Sequence, residues 1–338
     1  MNRRAFLAAA GTVFFLPGRI QAATLQYPAV TAGRELRFPT DHGSHPEYRV
    51  EWWYVTGWLD DERHGARGFQ ITFFRARPEH DPENPSAFTP RQVLLAHAAL
   101  ADPSVGRLVH EERAARAGFG LAEAEVGRTG VWIDDWRLEQ DGPRYLARIA
   151  GRELDFDLSL MAHEIVLQGE RGFSRKGHRP AEASYYYSRP HIAVAGKVGG
   201  RPAGGVAWLD HEWSSAYLAP EAVGWDWCGI NLFDGGSLTA FRMRAKAGGT
   251  HYAAPGVAFE VLRTWKSPRT GVEYPVSMAV SRAGRRLRLE PLMDDQELDA
   301  RASTGTIYWE GAVRAFEGER EVGRGYLELT GYWRPMKL

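Results

Sequence analysis

Along most of its length the chain sets apolar and polar residues in short alternating runs, interrupted by clusters of Gly, Pro and Asp. This pattern predicts strands. Residues 51–59, which read EWWYVTGWL, and residues 68–76, 93–100, 131–139, 144–149, 155–160, 192–198 and 206–209 are short and rich in aromatic or β-branched side chains. Residues 227–233, 237–244, 258–265, 276–281, 286–291, 306–315 and 325–333 continue the same style. Only residues 111–117 and 294–298 read as a turn or two of helix. Gly199-Gly200 and Gly204-Gly205, on either side of Arg201 and Pro202, predict a hairpin. Short, regularly spaced strands of this kind favour barrels or sandwiches.

An internal repeat divides the strands into two sets. Residues 72–77 (TFFRAR) and 239–244 (TAFRMR) share the pattern T-x-F-R-x-R, and each follows a Trp-rich strand and an acidic turn. The pattern predicts a duplicated β-barrel, with the second unit beginning in the loop 218–221, just before Trp225. The expected organisation is an export segment over residues 1–22, a first barrel over 24–218 and a second over 219–338.

The N-terminus changes the expected location. Arg3 and Arg4 precede an apolar run over residues 5–16, and Ala22 and Ala23 offer a cleavage site. The run is too short to span a bilayer, so an integral membrane protein is not expected. Arg3-Arg4-Ala5-Phe6-Leu7 resembles a twin-arginine export signal, with an ordinary Sec signal as the alternative. Either route leads to a periplasmic or secreted protein. With 44% hydrophobic and 25% charged residues, the 338-residue chain has ample material for a core. Its 42 basic and 42 acidic residues balance, and no basic stretch is interleaved with aromatics, so nucleic acid is not an expected partner. Cys228 is the only cysteine, which excludes an intrachain disulfide.

DHGSHPEYRVEWWYVTGWL (41–59), YYYSRP (185–190), WLDHEWSS (208–215), AVGWDW (222–227), PLMDDQEL (291–298), YWEGAV and GRGYLELTGY occur in this order along the chain. In these motifs it resembles the AttH-like, carotenoid 1,2-hydratase-related lipocalin family over essentially the whole mature length. The resemblance implies an all-β fold of two tandem lipocalin-like β-barrel domains, and relatives that add water across isoprenoid double bonds. His211 and Trp213 match the family's H-x-W. Where carotenoid hydratases carry Tyr-x-Asp on the next hairpin, this chain carries Phe241-Arg242-Met243. An acid is therefore expected from Asp210, Glu212 or Asp226 instead.

The acids among the tryptophans have a chemical reading. Hydrating an unactivated alkene needs a carboxylic acid held neutral in an apolar pocket and aromatic faces to stabilise the cation. Asp210, His211, Glu212 and Asp226 are the candidate catalytic residues, and Trp53, Tyr186, Trp213, Trp225 and Trp227 the candidate substrate-binding residues, around one cavity at the barrel junction. Asp41, His42, Ser44 and His45 have metal-ligand chemistry but flexible spacing, and read better as a loop capping the following strand. No nucleophile elbow or phosphate-binding glycine loop occurs, so neither a cofactor nor a metal is expected. The expected function is an exported hydratase, lyase or hydrolase acting on an extended apolar, isoprenoid or lipid-like molecule. The alternatives are a periplasmic protein that binds a lipophilic small molecule without chemistry, serving an envelope transporter, and an interaction scaffold in which the aromatic strands are structural.

Overall fold

The computed structural model describes residues 26–61, 65–79, 84–86 and 88–337, so the expected export segment lies outside the described residues. Among these the alternating runs form antiparallel strands, and the only helical element is a three-residue 3-10 turn at Thr40–His42. Two strongly curled sheets result, one of thirteen strands and one of nine, giving two lipocalin-like barrels. In the first, Val50–Asp61 lies between Gly65–Ala76 and Arg201–Ser214. In the second, Ala222–Leu232 lies between Ser237–Ala245 and Arg320–Leu329, and the last of these pairs with Thr306–Glu317. No helix among the described residues is long and apolar enough to cross a membrane.

Three local expectations need correction. Residues 111–117 are not helical: Arg107–Arg116 pairs residue for residue with Val93–Asp102. Glu111 and Arg113 reach across to the main chain of Leu154 and Ile133, contacts that satisfy their charges on a strand and are invisible in the sequence. Residues 294–296 form an irregular bend, pinned by Arg263 on Asp294 and Arg269 on Asp295, and residues 297 and 298 already belong to the strand Glu297–Ala300. The expected strand 131–139 is two strands, Gly130–Ile133 and Trp136–Asp141, because Asp134 turns the chain at φ 54°.

Strand alternation decides what each face meets. From Val50–Asp61, Trp53, Val55 and Leu59 fill the first barrel, while Tyr54 and Trp58 face outward towards the second. Arg201–Ser214 does the same, with Leu209 and Trp213 inside and Trp208 outside. The second barrel encloses Cys228, Ile230, Trp309, Leu327 and Leu329 and turns Trp225, Trp227 and Tyr326 outward. Each large side chain so buried contributes roughly 1.5–3 kcal/mol. Both barrel interiors are packed cores, and the outer aromatic faces meet.

The meeting is close. The Trp58 indole donates to the Gly325 carbonyl at 3.0 Å. At Gly68 an added Cβ would come within 2.4 Å of the Ala312 Cβ, so glycine is required for the barrels to approach. The two hexapeptides occupy matching places. Arg75 Nε binds Glu51 at 2.8 Å, and Arg242 Nε binds Asp226 at 2.6 Å. In each case the acid is the Arg's register partner on the preceding strand.

Candidate functional site

Between the outer faces lies a cavity of about 290 Å³. Asp210 and Glu212 reach it from the first barrel, Glu310 and Glu328 from the second, and Trp52, Phe74, Tyr217, Trp225 and Trp227 supply aromatic walls. Asp210 and Glu212 lie two residues apart on one strand, Glu310 and Glu328 lie opposite one another across a pair, and the alternating neighbours Leu209, His211, Trp213, Trp309, Leu327 and Leu329 face the cores.

Asp210 accepts hydrogen bonds from Tyr186 Oη at 2.6 Å, Ser188 Oγ at 2.5 Å and Trp208 Nε1 at 2.6 Å. Burial nevertheless raises its pKa to about 7, with the repulsion from Glu212 adding to it, because the donors that favour the charged form are smaller effects. Glu212 is salt-bridged to Lys176 at 2.6 Å and accepts from Ser184. Its pKa is raised by burial, with Lys176 opposing. The Lys176 ammonium also lies 3.9 Å from the Phe241 ring centre, a cation–π contact that helps hold it in place.

Glu310 and Glu328 are register partners on adjacent strands. Burial and the facing Glu328 push the Glu310 pKa well up, although Tyr54 Oη donates to it at 2.5 Å. Burial raises Glu328 to about 8, against a hydrogen bond from the Trp225 indole at 3.0 Å. Two carboxyls so placed cannot both ionise, and the pair retains a proton at neutral pH. Tyr54 itself stays a phenol, its pKa raised by burial and by Glu310. The cavity thus offers a protonated acid, partly ionised carboxylates and aromatic faces within one apolar space.

Of the expected site residues, the structure brings Asp210, Glu212, Trp225 and Trp227 to this cavity, and places Tyr186 directly behind Asp210, with the Trp227 indole donating to the same phenol at 3.0 Å. It does not bring His211, Trp213, Trp53 or Asp226 there. His211 and Trp213 alternate with Asp210 and Glu212 and point into the first barrel, where His211 stacks on Trp53 at 4.7 Å and Trp213 on His45 at 3.7 Å. Asp226 alternates with Trp225 and Trp227, turns towards the second barrel's interior and is held by Arg242, by Arg244 at 3.2 Å and by Tyr332 at 2.9 Å. Single-strand parity is the reason in each case.

Sequence reasoning passed over Tyr54, Glu310 and Glu328. The signal was a lone Glu at an outward position within an otherwise apolar strand, as in TIYWEGAV and GYLELTG. The first barrel holds a second polar group. His45 Nδ1 and His211 Nε2 lie 2.7 and 2.9 Å from Glu51 Oε1, near enough to suggest a metal site. The Glu51 carboxylate is already served by Arg75, by Ser44 Oγ and by the His45 main chain, so the donor set fits a hydrogen-bonded core network better than an ion. Asp41, Ser44 and His45 thereby tie their loop to the first strand.

Comparisons with known proteins agree over most of the chain. The AttH-like family profile matches residues 29–332. The crystal structure of an AttH candidate from Nitrosomonas europaea is similar at 45% identity and a TM-score of 0.84, covering 90% of this chain and 99% of that one. Kievitone hydratase from Nectria haematococca shares the fold at 14% identity and a TM-score of 0.61, covering 91% and 97%. No curated protein matches.

Proposed function

The chain belongs to the AttH-like family, and from that premise we propose that it is an exported hydratase-like enzyme that adds water to a carbon–carbon double bond of an apolar, isoprenoid or lipid-like substrate held between the barrels. The observation that carries this reading is the Glu310–Glu328 pair, kept protonated inside an aromatic cavity. A fold shared with a hydratase adds to it, and the Arg3-Arg4 segment supports a periplasmic or secreted location.

The chemistry follows from the environments. The proton held by Glu310 and Glu328 goes to one alkene carbon, and the other carbon becomes a cation. The faces of Trp52, Trp225 and Trp227 stabilise that cation by roughly 0.5–2 kcal/mol each. Asp210, poised near neutrality, takes a proton from the attacking water. The new C–O and C–H bonds account for both parts of water, and the proton returns from Asp210 to the pair.

The test uses H₂¹⁸O, with farnesol, geranylgeraniol and oleate as probes and mass spectrometry as the readout. Addition of one labelled water to a probe, abolished in Glu328→Gln and Asp210→Asn while binding persists, is the expected result. Binding without addition to any probe would overturn the enzyme reading in favour of a carrier of lipophilic molecules.

A further inference from the structure

A second cavity of about 280 Å³ adjoins the first. The two share Val50, Tyr217, Met336 and Lys337 among their lining residues, so they lie side by side. Their balance of charge differs. The inner chamber carries Asp210, Glu212, Glu310 and Glu328, together with the paired Glu51 and Arg75 and the shared Lys337. The outer one is lined by the interbarrel segment 215–220 and the C-terminal residues 335–337, and its charged lining residues are Arg49, Lys246 and Lys337.

The outer cations differ in how they are satisfied. Arg49 pairs with the exposed Glu79 at 2.9 Å. The nearby Glu221 carboxylate is taken by Arg179 at 2.7 Å, and only its main-chain carbonyl accepts from the Lys246 amide. Lys246 and Lys337 are left without an ion pair among the described residues, in a chain whose other charges are extensively paired. The Ser215 hydroxyl, on the same wall, is shielded from solvent and has no hydrogen-bond partner among the described residues. A shielded hydroxyl costs free energy unless something accepts from it.

We propose that the outer chamber is a subsite for the anionic head group, carboxylate or phosphate, of an amphiphile whose apolar chain occupies the inner chamber. Lys246 and Lys337 supply the charge, and Ser215 donates a hydrogen bond to a head-group oxygen. The inner acids enforce the orientation, because a second negative charge among them is repelled and desolvated. The head group therefore stays outside, and the hydrocarbon is delivered to the acids and the tryptophans. The assignment rests on the reading of the inner chamber as the place of an apolar substrate, and it narrows that substrate to a molecule charged at one end.

Saturated probes separate the two readings, since they have no double bond to hydrate. Binding of dodecanoate, dodecyl phosphate and dodecanol to the full-length mature protein is measured by quenching of tryptophan fluorescence and by calorimetry. At least one anion should bind roughly tenfold more tightly than dodecanol, and the preferred anion identifies the head group. Lys246→Gln, exposed and lining the outer chamber alone, should weaken that preference and leave dodecanol binding unchanged, and Lys246→Gln with Lys337→Gln should remove it. Ser215→Ala should weaken the anion alone. Dodecanol binding as tightly as both anions, or an anion preference that survives the double Lys variant, would overturn the head-group subsite without touching the hydratase reading. Loss of ¹⁸O addition with the anion preference intact would do the reverse.

Discussion

Glu310 and Glu328 sit directly opposite one another on adjacent antiparallel strands and carry both carboxyls into the same buried cavity. Like charges in cross-strand register are destabilising on a surface. Here burial makes ionisation costlier still, and both pKa values are raised.

The stability of the fold should therefore fall as pH rises. The folded protein keeps a proton on Glu328 up to about pH 8, whereas the unfolded chain releases it near 4.5. The linked stability is full below the lower value and is lost as pH approaches the upper one. Urea unfolding should show a decline of up to roughly 1.4 kcal/mol per pH unit for each such proton. The slope should be shallower in Glu328→Gln. Equal slopes in the two proteins would mean that the pair ionises freely.

Glu51 should behave in the opposite sense. Burial disfavours its charge, but Arg75 and the imidazoles of His211 and His45 outweigh that and hold its pKa well below the usual range. Its contribution is present above the unfolded value and disappears as pH falls through the folded one. Glu51→Ala leaves Arg75 buried and unpaired and should cost about 3–5 kcal/mol. Thermal melts of this variant and of the matching Asp226→Ala would compare the two hexapeptide arginines, and a loss below about 1 kcal/mol in both would deny the ion pairs a structural role.

Gly68 tests the contact between the barrels. Gly68→Val puts a branched side chain against Ala312 and the Tyr326 hydroxyl. The expected result is destabilisation by about 1–3 kcal/mol and greater protease sensitivity of the segment joining the barrels. An unchanged melt would show that the outer faces can separate without cost.

Export can be tested independently of the fold. Replacing Arg3 and Arg4 together by Lys should leave the precursor in the cytoplasm if the twin-arginine route is used, since that route reads the paired guanidinium groups. Normal appearance of the mature protein outside the cytoplasm would assign it to Sec.

The alternation of apolar and polar residues was enough to specify the all-β class, the hairpin duplication marked by the two T-x-F-R-x-R segments and the unusual density of acids among indoles in WLDHEW and GWDW. Strand period two also turns Asp210 and His211 to opposite sides, against the expectation that both line one cavity. What the alternation left open was which face of each strand would be covered by its own barrel and which by the other. Tyr54 and Glu310 are 256 positions apart, and their hydrogen bond exists only because the outer faces of two already complete barrels meet. A strand with apolar side chains on both faces reads the same whether its second face meets a neighbour or a cavity. Only the packing of one barrel on the other, closely enough to need glycine at position 68, removed Glu310 and Glu328 from water and turned two ordinary strand residues into a shared acid.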